Sequence, residues 1–242
     1  MQRPVLNIGR RVRLRHVRAA VESVLAPGAH LLDAGCSDGR LAVELARSHP
    51  DCEFVGIDVD DAALAAARRM AARLTNLTID RRTIGDGAAD AAFDVVVCAD
   101  VLEHVGDDAG ALRWLASGLR PSGHLIVHVP ADPQRHAIHS VGAALDAEVE
   151  SGAGPHMRMG YTPEGLRELV DEAGLGSTDV AWTFHRGASR LAADLDTWTF
   201  LRGGRLVKLV LLPGLLALAA LERSPSRTVR GNGVLLLARA AE

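Results

Sequence analysis

The stretch from His30 to Gly39, H-L-L-D-A-G-C-S-D-G, constrains the fold of this chain more than any other. It begins as a short apolar run, passes a carboxylate at Asp33, and turns through Gly35 and Gly39 into helix-forming sequence at Arg40–Ser48. A buried strand, a glycine turn and a helix start, in that order, build a ligand-binding corner in an open α/β sheet. The glycines suit backbone that bends sharply or approaches a ligand closely, because they carry no Cβ. The spacing is D-x-G-x-x-x-G rather than G-x-G-x-x-G, and Asp33 and Asp38 flank the glycines. Acid there repels the pyrophosphate that a dinucleotide would set at the helix N-terminus. It suits a ligand carrying a positive amine.

The rest of the chain repeats the strand–helix alternation. An amphipathic helix over about residues 10–26 ends at Pro27-Gly28. Cys52–Asp58, C-E-F-V-G-I-D, reads as a second buried strand whose terminal acid can accept hydrogen bonds from ribose hydroxyls. An Ala-rich helix follows, capped by Asp60 or Asp61, and Leu77–Asp80 makes a short third strand. The continuous apolar run Val95–Cys98 is that of a strand covered on both faces. Asp107–Leu119 reads as a helix, Arg120–Gly123 as a turn and His124–Val129 as a fifth strand. Thr162 and Pro163 start a helix to Ala173, Ser177–His185 is a sixth strand, and Gly233–Ala240 is the last.

Three phrases resemble the motifs of the class I S-adenosylmethionine-dependent methyltransferases. They are L-L-D-A-G-C-S-D-G, then F-D-V-V-V with V-L-E-H-V about 60 residues on, and G-L-R-P-S-G-H-L-I-V-H-V-P. The resemblance covers roughly residues 28–185 and the final strand. It implies a Rossmann-like seven-stranded α/β sheet with helices on both faces, the last strand antiparallel and a helical insertion before it. It implies S-adenosylmethionine as cofactor, with Asp33, Gly35, Cys36 and Gly39 at the amino-acid end, Asp58 on the ribose and Val59 against the adenine. Asp80, or alternatively Asp86, holds the adenine amino group, and Asp100 with Leu102 lines the cleft near the methyl group. Two positions depart from the pattern: Ser37 stands at the middle glycine of G-C-G-x-G, and Ser122 at a glycine before the fifth strand. The turn is expected to tolerate Ser37.

The acceptor side is less determined. His104, His136 and His156 are candidate bases, since an imidazole transfers protons near neutrality. Arg158 and Tyr161, in H-M-R-M-G-Y-T-P-E-G-L, sit where small-molecule and lipid-intermediate methyltransferases face substrate, or else fix the loop. His136, His139 and His156 lack i, i+4 spacing, so no metal site is expected.

The chain divides into a cap (1–27), a cofactor-binding core (28–186), an apolar insertion (187–231) and a final strand (232–242), all in one methyltransferase domain. Leu206–Leu221 is nearly all apolar but too short for an ordinary spanning helix, and Lys208, Pro213 and Gly214 interrupt it. It reads as a lid, a homodimer surface, or a peripheral membrane contact through 198–221, with the lid preferred. A net charge of −3 gives no general attraction to nucleic acid. Cys36, Cys52 and Cys98 are widely spaced, and the chain start lacks a signal-peptide core, so a cytoplasmic protein is expected. The expected activity is methyl transfer to a small or lipid-linked acceptor, at oxygen. The alternatives are a non-catalytic cofactor-binding module and a nicotinamide oxidoreductase, which the missing G-x-G-x-x-G disfavours.

Overall fold

Strand order follows from which apolar runs must be covered on both faces. In the computed structural model, which describes residues 7–86, 91–138, 140–143, 156–199 and 204–242, seven strands form one sheet in the order β3-β2-β1-β4-β5-β7-β6. The strands are β1 (His30–Ala34), β2 (Glu53–Asp58), β3 (Leu77–Arg81), β4 (Phe93–Ala99), β5 (Leu119–Pro130), β6 (Leu175–Thr183) and β7 (Gly233–Ala240). β1 to β5 pair in parallel, and β7 runs antiparallel between β5 and β6. The order reverses between β1 and β4, which opens a crevice at their carboxyl ends.

The central strands alternate strictly. Leu31, Val95, Val97 and Ile126 face one layer with Val17 and Val21 of α1 (Ile8–Glu22) and Leu41 and Leu45 of α2 (Arg40–Ser48). Leu32, Val96, Cys98, Leu125 and Val127 face the other, against α4 (Asp108–Ser117) and α5 (Pro163–Glu172). α3 (Asp61–Ala71) packs Leu64 and Ala67 against Cys36 and Ile79. Local chemistry sets the helix starts. Asn7 caps α1 through Arg10 N–H at 2.8 Å, Asp60 caps α3, Asp107 caps α4, and Thr162 with Pro163 starts α5.

Several boundaries differ from the sequence reading. β5 begins at Leu119, because the expected turn at 120–123 is absorbed into the strand as a register shift opposite Phe93 and Val95. β6 spans Leu175–Thr183, two residues earlier than read. Between β6 and β7 lie α6 (Gly187–Trp198) and α7 (Gly204–Ala220), and α7 continues through Pro213 as one helix. Ile8 and Val12 of α1, Ala192 of α6 and Leu215 and Ala219 of α7 share a separate apolar cluster. No helix among the described residues is long and apolar enough to cross a membrane. His139, and residues 200–203 of the segment 198–221, lie outside the described residues.

Candidate active site

The crevice is built from strand tips. Asp33, fourth residue of β1, is buried with one carboxylate oxygen, Oδ2, that has no hydrogen-bond partner among the described residues. Burial raises its carboxyl to about 7, Asp58 and Asp38 push the same way, and Arg10 and the Ala42 N–H oppose them. Gly35 follows with φ 82°, and a Cβ there would lie 2.2 Å from Val101 Cγ2. Gly39 has φ 73°, with the Ala67 Cβ 2.7 Å from where its own would stand. Between them Ser37 also lies in the left-handed region, φ 51°. The turn thus keeps the backbone of a glycine at a residue that has a side chain, at a cost of roughly 1–2 kcal/mol.

Asp58 ends β2 and ties two loops together. Its carboxylate accepts from Ser37 N–H at 2.8 Å, Val59 N–H at 2.7 Å and Asp60 N–H at 2.9 Å. Val59 is 53% exposed at the strand tip. The Cys36 side chain turns into the α3 cluster. Asp38 is held by the Arg10 guanidinium of α1 through both carboxylate oxygens. Asp80 stands exposed on β3 opposite Ile57, and Asp86 is exposed in the turn beyond.

A second hollow opens next to the β4 tip. This cavity, of about 190 Å³, is lined by residues including Arg13, Asp100, His136, His156, Arg158 and Arg190. Neither Asp33 nor Asp58 lines it, so it lies beside the glycine turn rather than over it. Asp100 has φ 55°, accepts from His128 Nδ1 at 2.7 Å and pairs with Arg13 of α1. Burial, with the Arg13 charge, holds His128 well below the usual imidazole range, so it is neutral. Its Nδ1–H then donates to Asp100, and Nε2 accepts from the Thr183 hydroxyl at 2.9 Å.

On the far wall His136 Nδ1 meets Asp194 Oδ1 of α6 at 3.0 Å, and Asp194 also accepts from Ala137 and Ile138 N–H. Arg190 of α6 reaches this cavity with no ion pair among the described residues. α6 therefore covers the cleft, whereas α7, the segment read as a lid, lies behind it with Leu206 at 79%, Leu209 at 67% and Val210 at 79% exposure.

His104 ends the short turn Leu102–His104, and its ring lies 4.6 Å from that of His156. Arg158 donates to the Val105 and Gly106 carbonyls and to the Tyr161 hydroxyl, and pairs with Asp108; Tyr161 in turn donates to Asp108 at 2.9 Å. These bonds fasten the loop around 156–161 to the β4–α4 connection. Arg158 also lines the cavity; Tyr161 is buried and does not. The structure thus gathers His136 and His156 at one hollow and sets His104 beside His156.

Sequence reasoning missed His128, Asp194, Arg190 and Glu103. His128 carried one signal, an imidazole inside an otherwise apolar strand four residues after His124. The others meet the site only through the fold.

The profile of a family described as a methyltransferase domain matches residues 25–174. The chain is 37% identical over 193 residues to a ubiquinone biosynthesis O-methyltransferase of Vibrio campbellii, covering 76% of this chain and 80% of that one. It is 33% identical over 162 residues to a trans-aconitate 2-methyltransferase of Deinococcus radiodurans, covering 64% of this chain and 60% of that enzyme. A solved phosphoethanolamine N-methyltransferase 2 of Haemonchus contortus, in complex with S-adenosyl-L-methionine, superposes with TM-score 0.65 at 16% identity, over 93% of this chain and 52% of that one.

Proposed function

This chain belongs to the class I S-adenosylmethionine-dependent methyltransferases of small-molecule type, and from that premise we propose that it methylates an oxygen of a small, anionic acceptor. The methyl donor fits the first hollow on this chain's own chemistry. Asp33 offers a buried carboxylate oxygen that lacks a partner, which a cationic amine would satisfy. Asp58 already accepts three backbone N–H bonds and keeps one of about four acceptor sites for a sugar hydroxyl, and Val59 offers an exposed apolar surface for a purine face. Gly35, Cys36 and Gly39 contribute backbone to the same hollow. When bound, the donor supplies a sulfonium methyl group.

The acceptor belongs in the second hollow, and the observation that carries this is its wall. His136, oriented by Asp194 at Nδ1, presents Nε2 as a base. Arg190, without an ion pair among the described residues, is ready for an anionic group of the acceptor. His136 takes the proton of the acceptor hydroxyl, and Asp100, held by His128 and Arg13, keeps the two hollows in fixed relation. Positioning donor and acceptor in line supplies most of the acceleration. The relatives point the same way, one being named for O-methylation in ubiquinone biosynthesis and the other for trans-aconitate.

The exposed apolar stripe on α7 favours a second reading, in which the acceptor carries a lipid tail and the protein meets a bilayer peripherally. The test is transfer of tritiated methyl from the donor to a panel of hydroxy acids, carboxylic acids and phenols, with and without prenyl tails. Product confined to anionic oxygen acceptors supports the proposal. Transfer only to nitrogen, or donor binding with no transfer to a broad cell extract, refutes it, the latter in favour of a cofactor-binding module.

A further inference from the structure

One buried carboxylate near the β4 tip takes no part in the proposed transfer. Glu103 is 1% exposed, and its Oε2 has no hydrogen-bond partner among the described residues. A buried oxygen in that state calls for a donor or a cation. Two cations are near, but each already serves another acid: Arg13 pairs with Asp100 and Arg158 with Asp108. Beside the carboxylate stand two imidazoles. Ligand atoms of Glu103, His104 and His156 all lie within 4.8 Å of one another, and Glu103 Oε1 is 3.9 Å from His104 Nε2.

We infer that Glu103, His104 and His156 form a site for a divalent first-row transition cation, which takes the acceptor's oxygen as a further ligand. The donor set is two imidazoles and one carboxylate, which suits Zn²⁺, Mn²⁺, Co²⁺ or Fe²⁺ rather than Ca²⁺ or Mg²⁺. Bonds of about 2.1 Å in a tetrahedral shell set ligand atoms roughly 3.4 Å apart, so the widest pair must close by about 1.4 Å at most. Glu103 is fixed in the interior, whereas His104 is exposed and His156 half-buried, so their rings can turn to close the gap. The loop bearing His156 is already pinned here, since Met157 N–H donates to the Glu103 carbonyl at 2.8 Å. Three protein ligands leave a position open for substrate.

His156 also lines the acceptor cavity, so the open position faces the hollow in which the proposed function puts the hydroxyl. A cation there would ease loss of the hydroxyl proton, which goes to His136 Nε2, leaving the oxygen bound and nucleophilic. This inference rests on the acceptor reading only for that last step; the metal site itself stands or falls separately.

The test is Co²⁺ titration of the full chain, followed by visible absorption and calorimetry, with no acceptor present. The expected result is one equivalent bound with a ligand-field spectrum of nitrogen and oxygen donors. His104→Ala and His156→Ala should each weaken binding by about 100-fold or more. Glu103→Gln keeps the side-chain shape, removes a buried charge and should weaken binding likewise; circular dichroism confirms folding of each variant. His136→Gln should bind Co²⁺ as the parent does. No binding, or binding that all three variants leave intact, overturns the site. Methyl transfer that persists unchanged in excess chelator overturns its contact with the acceptor, while leaving the methyltransferase reading standing.

Discussion

Replacing Asp33 by Asn should separate what the β1 carboxylate costs the fold from what it does for the donor. The folded carboxyl titrates near 7 against 3.8 for the free side chain, mainly through burial. Between those values the folded protein holds a proton that the unfolded chain has released. The folded state therefore binds more protons, and stability falls by about 1.4 kcal/mol per pH unit as pH rises through that window. From pH 5 to pH 8.5 the loss is about 3 kcal/mol. Asn carries no such titration. An unpaired amide can cost the variant a constant amount, but that amount does not change with pH. The expected outcome is that Asp33→Asn gains about 3 kcal/mol on the parent between pH 5 and pH 8.5, read from urea unfolding without donor. Other titrating groups are common to both proteins and cancel.

The same variant should lose the donor. Removing one member of a buried charge pair costs about 2–5 kcal/mol, so affinity for S-adenosylhomocysteine should drop about 30-fold or more. For the parent, affinity should weaken as pH falls below about 7, because a protonated Asp33 must shed its proton to pair with the amine. Calorimetry in buffers of differing ionisation heat reads that proton release directly. A stability difference that stays flat with pH, or undiminished affinity in Asp33→Asn, would show that the carboxylate neither suffers from burial nor grips the donor.

Three further outcomes follow from the geometry. Ser122 lies in β5 at φ 62°, so Ser122→Gly should raise stability by about 1 kcal/mol, seen as a higher urea midpoint at unchanged slope. His136→Gln should lower kcat by about 100-fold while the donor's dissociation constant stays put, and Asp194→Asn should follow it in direction, since it orients the ring. A kcat loss equal to a loss of donor affinity would assign His136 to the fold instead. Serines at Leu206, Leu209 and Val210 should shift stability by less than about 0.5 kcal/mol each, since these side chains are exposed. If the stripe meets a bilayer, the triple variant should no longer sediment with anionic vesicles that retain the parent.

Parts of this molecule that depend on local backbone were legible from the chain alone. β1 and β7 fall where continuous apolar runs meet glycine or proline, and α2 starts where Gly39 ends its turn. Asp58 is legible because a carboxylate at a strand tip has few other tasks. Register is harder. The R-P-S-G phrase carries ordinary turn residues, yet pairing with β4 and β7 holds it in the sheet and forces Ser122 to the backbone of the glycine it replaces. Pro213 reads as a break, yet α7 passes through it, packed through Leu215 and Ala219 against α1 and α6.

The proposed acceptor side was least legible because its residues come from many places that only topology unites. The absence of i, i+4 spacing argued against His136, His139 and His156 as one metal set; the fold gives His136 to Asp194 on α6 and sets His156 against Glu103 and His104. The contrast has a physical cause. The donor is the same in every reaction of the kind, so one strand–turn–helix with two acids suffices in the proposed reading. The acceptor differs from one enzyme to the next, and the hollow proposed for it is lined from α1, the β4 tip, β5, the loop before α5, α6 and the approaches to and from the last strands. Arg190 and Asp194 lie on a helix of the insertion, in a stretch beyond the matched family profile. Exchanging α6 residues should therefore change which acceptor is taken while donor affinity holds. Arg190→Gln, assayed on anionic and neutral acceptors side by side, is the smallest such change. An equal loss on both would place Arg190 outside recognition.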